Sequence, residues 1–579
     1  MKILTYNDLA PKGLSAKVNK VKKLLASGDF RSADVKKMVN SDFYRAKLDR
    51  ENRLLFKFAR YEGETYLLLL EVIANHAYEK SKFLRGAEVQ ESHFRVEVKP
   101  ETIEKEVQES LRYVNPQSPR FHVLDKIISL DETQEEIYQL PSPLIIIGSA
   151  GSGKTALTLE KMKSYRGNMA YISLSPYLVE NSQQIYYANG YENEQQEIDF
   201  LDFGEYLESI HIPEGKELTY PIFDGWYERR YRARFKFRDS YKLFEEFRGV
   251  LTGSVVDAAY LSRERYRKLG VKQSIFLENE REQVYDLFEK YLAWLEEGQY
   301  FDRNLLAYQY LKQVEPTYDF IVVDEVQDLT NIQLLLILRA LKQPTNFILS
   351  GDSNQIVHPN FFSWSKIKTL FFEQQVQGNA IRILKTNYRN SQQVTRVSND
   401  LLKIKNARFG SIDRESTYLI DTVSSAEGEI QFFQDSEKIK QDLNARTERS
   451  AKFAVLVMDK AQKRRVSKFF KTPLIFTIQE AKGLEYDNII LINFLSDYAK
   501  EFREITRGVT QEDLLDENLR YSRGKDKSNK EQEAYKFYIN SLYVAFTRAV
   551  KNLYIVEGSR KFELLQLLDI VETSQKVQL

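Results

Sequence analysis

Gly148-Ser149-Ala150-Gly151-Ser152-Gly153-Lys154-Thr155 follows the apolar run 144–147 and precedes a helix-forming stretch over 156–163. Three glycines in eight residues free the backbone to turn its N–H groups inward on an anion, and the helix that begins at once adds its positive end. Lys154 is spaced to reach the outer phosphates of a nucleoside triphosphate, and Thr155 to hold a magnesium ion. Strand, glycine loop and helix in that order predict an α/β fold. Gly148, Ser149, Ala150, Gly151, Ser152, Gly153, Lys154 and Thr155 are its candidate nucleotide contacts.

Such a loop needs a distant carboxylate to grip the metal and act on water. Phe320-Ile-Val-Val-Asp324-Glu325-Val-Gln327-Asp328 supplies it. A strand buried on both faces reads as a continuous aliphatic run, and ligands in an open parallel sheet sit beyond its carboxyl ends. Asp324 is therefore the candidate magnesium ligand and Glu325 the candidate general base. Adjacent carboxylates on an apolar strand are costly to bury without a cation, which favours a chemical role over a structural one.

With these two segments in place, the chain resembles a superfamily 1 helicase motor of the UvrD/Rep type, whose other motifs follow in order over residues 130–556. Gln134, in Leu130-Asp-Glu-Thr-Gln134-Glu-Glu-Ile137, matches the family's adenine-reading glutamine, and Gly351-Asp-Ser-Asn-Gln355 the motif whose glutamine senses the γ-phosphate. Asn387-Tyr388-Arg389 resembles the stacking tyrosine and first arginine finger. Gln479-Glu-Ala-Lys-Gly483-Leu-Glu485-Tyr-Asp487 is similar to the fifth motif, whose glutamate holds the ribose, and Val544-Ala-Phe-Thr-Arg548-Ala549 to the sixth, with the second finger. The resemblance implies two RecA-like P-loop lobes over 131–378 and 379–579, with ATP and Mg²⁺ as ligands. It implies nucleic acid as partner, single-stranded DNA first and RNA second. Arginines from the second lobe would stabilise charge on the transferring phosphoryl group, so hydrolysis would depend on lobe closure.

The 579 residues exceed what one hydrophobic core serves. Zero cysteines exclude disulfides, thiolate zinc sites and cysteine-bound clusters, and five scattered histidines suggest no metal cluster. The sequence shows neither a membrane-length apolar run nor a signal-peptide core, so the expected location is cytoplasmic, with no membrane partner. Net charge is only +1, yet residues 1–100 carry 20 Lys and Arg against 13 Asp and Glu. A nucleic-acid partner would then be met by local grooves rather than by an overall basic chain.

One such groove candidate is Trp226-Tyr-Glu-Arg229-Arg230-Tyr231-Arg232-Ala-Arg234-Phe235-Lys236-Phe237-Arg238. Basic residues among aromatics suit a single strand with stacked bases, making Arg230, Arg232 and Arg234 candidate contacts. The alternation over 231–238 fits a half-buried strand equally. The stretch falls in a segment, about 195–310, where the family inserts an accessory subdomain. Val284, Leu287, Phe288, Tyr291 and Leu295, three and four apart, predict an α-rich insert. Only about 85 residues separate Arg389 from Thr477, so the second lobe's large accessory subdomain is read as absent. The family places a base-stacking tryptophan soon after Gln355, whereas here Trp364 comes later, a candidate for that role with core packing an equal alternative. The polar stretch 496–540 reads as a mobile loop.

Residues 1–95 lie outside the motor motifs. Helices near 16–26 and 32–38 are predicted, then strands at 45–47, 53–60 and 65–73. This αα-then-antiparallel order resembles the small RelE/ParE toxin fold, with Arg45, Arg53, Lys57, Arg60, His76 and Tyr78 compatible in type. Residues 96–130 read as a linker with a helical middle. The fold class is thus α/β, with two RecA-like domains, an α-rich insertion and an N-terminal α+β RelE-like domain. Translocation on nucleic acid or remodelling of a nucleic-acid complex is the first functional expectation. An ATP-gated toxin or sensor acting on RNA or ribosomes, in a setting such as phage defence, is the rival. A remodeller of RNA polymerase is the third, because the fifth motif is also similar to that of HelD-type proteins.

Overall fold

The computed structural model describes residues 2–6, 9, 14–27, 32–37, 43–49, 52–61, 64–74, 94–96, 131–187, 193–235, 237, 239–270, 273–356, 381–411, 414–522 and 532–570. The chain forms two compact units, Met1–Leu111 with Leu207–Pro213, and Arg112–Tyr206 with Glu214–Leu579.

In the N-terminal unit, strand Lys2–Tyr6 lies parallel to Glu64–Ile73 and antiparallel to Phe94–Val96. Arg53–Tyr61, Phe43–Lys47 and Lys36–Lys37 extend the sheet by antiparallel pairing. Helix Ser15–Ala26 packs Val21 and Leu25 against Ile3, Leu54, Phe56, Leu67 and Leu69. The expected second helix over 32–38 is not formed. Asp34 takes a left-handed backbone at φ 48°, and Ala33 and Val35, two apart, both turn to the core, which is the period of a strand rather than a helix. The first strand, unforeseen in the sequence, makes the sheet mixed rather than purely antiparallel. The linker helix, His76, Tyr78 and the side chain of Arg60 lie outside the described residues.

In the larger unit the first lobe is a parallel sheet ordered Ile381–Leu384, Leu144–Gly148, Phe347–Gly351, Phe320–Val323, Gly167–Ser173, Gln196–Asp202. Leu144 to Ile147 and Phe320 to Val323 are buried, as strands covered on both faces must be. Both chemical segments thus end at the same edge of one sheet. Two boundaries move. Gln196–Asp202 is an edge strand of this sheet, so the insert begins later than 195, and Ile381–Leu384 pairs with the phosphate-loop strand, so the first lobe runs past 378.

The insert opens and closes where Lys216–Glu217 pairs with Tyr300–Phe301. Between them, helices Tyr220–Arg230, Ser240–Glu245 and Arg281–Glu297 close on an aromatic core of Phe223, Trp226, Phe247, Phe288 and Tyr291. All five residues of the apolar face read from 284–295 are buried. Within the alternation over 231–238, the described residues Arg232–Phe235 form a helical turn rather than a strand.

The second lobe is a parallel sheet ordered Glu429–Gln434, Ala549–Glu557, Tyr486–Ile492, Phe453–Val457, Ile475–Thr477. Separate apolar clusters cover its two faces. Much of 496–540 is ordered rather than a polar loop. Ala499–Thr506 is a helix burying Phe502 and Ile505, three apart, and Phe502 meets Tyr538 edge-on at 6.2 Å. No helix among the described residues is long and apolar enough to cross a membrane.

Candidate active site

The loop after Leu144–Gly148 turns through Gly151 and Gly153, each at φ 78°, a left-handed conformation that side chains resist. A Cβ on Gly151 would lie 2.7 Å from Arg389 Cβ and 2.8 Å from Asn387 Oδ1. Lys154, at the start of helix Lys154–Met162, folds back to donate to the carbonyls of Gly148 (2.8 Å) and Ser149 (3.0 Å). Among the described residues the buried Ser149 hydroxyl has no hydrogen-bond partner, a polar group in the cradle still able to meet a ligand. Gln134 closes the other side: its backbone N–H and Asp131 form a capping box, and its amide donates to the Ser152 carbonyl at 3.0 Å.

Asp324 is fully buried yet richly satisfied. It accepts from Thr155 Oγ1 (2.7 Å), Tyr171 OH (2.7 Å), Ser350 Oγ (2.6 Å) and the Glu325 N–H (2.9 Å). Burial, reinforced by the Asp324 charge, pushes the Tyr171 hydroxyl well up, so it remains a donor. The two oxygens expected to hold magnesium, Thr155 Oγ1 and an Asp324 carboxylate oxygen, are therefore in contact. Tyr171 and Ser350, on apolar strands, and Ser182 behind Tyr171, on the helix Pro176–Tyr186, orient that carboxylate, and nothing in those elements marked them in advance.

Glu325 sits at φ 53°, ψ 44°. Such a left-handed residue costs about 1–3 kcal/mol and is held only where its surroundings over-determine it. Gln327 supplies one restraint: its amide donates to the Glu325 carboxylate, while its oxygen accepts from the Asp352 N–H at 3.0 Å. Burial pushes the Glu325 pKa up, but Lys154, Lys482, the Gln327 hydrogen bond and Arg548 outweigh it and hold the group below its ordinary value. Asp352 nearby goes the other way, raised by burial despite Lys154.

The second lobe reaches the same edge. Arg548, 2% exposed, donates to Gln355 Oε1 at 3.0 Å, and burial, then the neighbouring charge of Arg389, lowers its pKa to about 10. Lys405 donates to Asn354 Oδ1 at 2.9 Å and Asn540 to the Ile356 carbonyl at 2.8 Å. Lys482 makes a buried ion pair with Asp328. Asn387 donates to the Ala150 carbonyl at 2.9 Å and the Tyr388 N–H to that of Gly151 at 3.0 Å. Arg389 and Glu485, expected in separate roles, form an ion pair, and Tyr388 leaves its ring 44% exposed. Lys482 and Asp328 lay within motifs quoted above without being singled out. Lys405 carried no signal.

Away from the cleft the outcome differs. Trp226 and Tyr227 are buried, and Tyr231 and Phe235 pack on the insert core, so these aromatics do not form an open stacking platform. Arg232 is taken by Glu228 at 2.6 Å, one helical turn away. Arg229, Arg230 and Arg234 remain exposed. Trp364 lies outside the described residues. In the N-terminal unit Arg45 is buried and pairs with Glu208 of the 207–213 segment at 2.9 Å, while Arg53 donates to the carbonyls of Asp49 (2.7 Å) and Asn52 (3.1 Å).

Two parallel sheets whose loops meet at a glycine-rich turn and a buried carboxylate define a RecA-like α/β protein. Residues 258–375 match the UvrD/REP helicase N-terminal domain. Over 422 residues it is 24% identical to the human TPR and ankyrin repeat-containing protein 1, covering 64% of this chain and 14% of that protein. Over 136 residues it is 28% identical to a probable DNA helicase II homolog of Mycoplasma capricolum, covering 22% of this chain and 18% of that protein. The chain thus spans under a fifth of either relative. The solved structure of PRRSV helicase aligns with 72% of this chain and 53% of that one, at 12% identity and a TM-score of 0.29.

Proposed function

We propose that this chain is an ATP-dependent motor of the helicase class that acts on single-stranded nucleic acid, DNA in the first instance, in the cytoplasm. The observation that carries the reading is the Arg548–Gln355 hydrogen bond, which joins a second-lobe cation to the segment beside Glu325. Lys154 and the loop N–H groups bind the phosphates, Gln134 faces the adenine, Tyr388 stacks on it and Glu485 takes the ribose. Thr155 and Asp324 would hold magnesium, which when bound would supply a positive centre for the phosphate oxygens. Glu325, kept ionised by the surrounding cations, orients the attacking water and accepts its proton. Arg389 and Arg548 stabilise charge that develops during transfer, and Gln355 links that event to the second lobe. Hydrolysis then requires both lobes together, as a motor needs.

The exposed Arg229, Arg230 and Arg234 are the proposed phosphate contacts on the insert, acting as charges without help from the buried aromatics. Purified Lys154→Ala is expected to lose ATP hydrolysis, and Glu325→Gln to bind ATP without turning it over. Phosphate release measured with and without single-stranded oligonucleotides checks this, and near-normal turnover by Lys154→Ala would sink the motor reading.

A further inference from the structure

The last helical segment before Gly253 is not α-helical. Residues Glu246–Thr252 form a π-helix, a wide turn that is uncommon and often found where a fold does something functional. Its end seats on the segment just downstream of Asp324 and Glu325. The Asn331 amide donates to the Ser254 carbonyl at 3.0 Å, the Ile332 N–H to that of Gly253 at 3.4 Å, and a Cβ on Gly253 would lie 2.6 Å from Thr330 Cγ2.

A buried polar chain crosses the same junction. Thr330 Oγ1 donates to Asn304 Oδ1 at 2.9 Å, and the Asn304 amide donates to the Arg248 carbonyl (2.7 Å) and to Thr252 Oγ1 (3.1 Å). Thr252 Oγ1 in turn donates to the Phe247 carbonyl of the π-helix at 3.0 Å. Asn304 is fixed from behind by Asp302, which accepts its N–H at 2.7 Å and the Tyr291 hydroxyl at 3.0 Å. Tyr291 and Phe247 pack against Phe223, at 5.9 and 5.7 Å between ring centres, on the helix that ends in the exposed Arg229 and Arg230. Thr252, Asn304 and Tyr291 are all within 1% of full burial. Each amide and hydroxyl here has a partner, so displacing one obliges the others to move or to lose a bond.

We infer that Asn304 and Thr330 are positioning residues that couple the insert to the carboxylate segment, so that occupancy of the insert's arginine face changes ATP turnover rather than ATP affinity. The inference rests on the motor reading above. A π-helix is suited to the task because its extra residue can be accommodated elsewhere in the helix at low cost, shifting the Arg248 carbonyl that Asn304 grips. Thr330, five residues after Glu325, then passes the shift to the loop that holds the base in its strained conformation.

The test measures kcat and KM for ATP in the full-length protein, alone and with poly(dT) or poly(rU), for wild type, Thr330→Val, Thr330→Ser, Asn304→Ala and the double Thr330→Val/Asn304→Ala. Thr330→Val and Asn304→Ala should each cut the stimulated kcat about fivefold or more, while unstimulated kcat and KM stay within about twofold. Thr330→Ser, which keeps the hydroxyl, should retain stimulation. The double variant should be no worse than either single one, since both break the same bond. Thr330→Val, which preserves shape, decides the matter if Asn304→Ala fails to fold. Unaltered stimulation in Thr330→Val, a parallel fall in unstimulated turnover, or loss in Thr330→Ser equal to that in Thr330→Val would each overturn the coupling. A wild type that hydrolyses ATP but ignores both polymers also refutes it, whereas a wild type that hydrolyses no ATP refutes the motor reading instead.

Discussion

Glu246 in the insert is fully buried and Glu325 in the cleft half-buried, and their environments push them in opposite directions. Glu246, fully buried, accepts from Tyr266 OH at 2.7 Å, the Ile275 N–H at 3.0 Å and the Ser274 hydroxyl, all within the insert, and burial raises its pKa. Glu557 in the second lobe is similar: it accepts from the Leu495 and Ser496 N–H groups and the Ser496 hydroxyl, and burial pushes it up to about 7. Glu325 is pushed up by burial too, yet ends below its ordinary value because Lys154, Lys482 and Arg548 face it. Hydrogen bonds from neutral neighbours satisfy a buried carboxyl without obliging it to be charged. Cations, two of them from the other lobe, make the charged form the stable one. Self-contained burial therefore reads as architecture, and burial completed from across a cleft reads as chemistry.

The largest effect expected from breaking the cleft side of this contrast is at Arg548. Arg548→Ala should lower kcat about 10³-fold or more, since a finger of this kind is worth that in turnover, and should leave nucleotide binding nearly intact. Single-turnover phosphate release alongside a nucleotide-binding titration measures both. Equal losses in binding and turnover would mean that Arg548 holds the lobes together rather than the reacting charge.

Lys482 sharpens the comparison. Lys482→Met removes the cation from the buried Lys482–Asp328 ion pair, a loss of about 3–5 kcal/mol in stability. It also removes a cation that lowers the Glu325 pKa. Glu325 works ionised, so its pKa must rise in the variant and the acid limb of the pH–kcat profile must move to higher pH. The double variant Asp328→Asn/Lys482→Met should recover much of the stability, because no charge is stranded, while keeping the shifted acid limb. An acid limb that returns with stability would show that Lys482 acts only through Asp328.

The parts of this arrangement visible in the sequence were those whose chemistry is local. Gly151, Gly153 and Lys154 announce a phosphate loop because the turn demands them, and Phe320 to Asp324 announces a strand because an aliphatic run has few other uses. Tyr171 and Ser350 were invisible, since each is one polar residue in a buried strand, and only the sheet order brings them to Asp324. Lys405 and the Asp328–Lys482 pair depend on how two lobes meet, which spacing along the chain does not encode. The arginine-aromatic stretch misled for a related reason. Alternation over 231–238 also fits a helical turn, and Arg232–Phe235 forms one, with Tyr231 and Phe235 packed on the insert core. At the N-terminus the helix expected over 32–38 does not form, and Asp34 takes a left-handed backbone instead.

The smallest effect should come from Glu246, the other side of the comparison. Its pKa is raised on folding, so between the ordinary carboxylate value of 4.5 and its raised value the folded protein holds more protons than the unfolded chain. Stability contributed by this group is therefore greatest at the acid end of that window and declines as pH rises through it. Glu246→Gln removes the ionisation. The Tyr266 and Ser274 hydroxyls can accept from an amide as readily as they donate to a carboxylate, and the remaining oxygen can keep the Ile275 N–H. The substitution should cost about 1 kcal/mol or less and leave ATP turnover within about twofold. Trp226 and Trp294 stack at 4.8 Å inside the insert, so tryptophan fluorescence during urea unfolding reports on this region. The midpoint of wild type should fall as pH rises above 4.5, and that of Glu246→Gln should fall less. A variant whose turnover collapses while this midpoint holds would place Glu246 with Glu325, and the distinction between self-contained and cross-lobe burial would be lost.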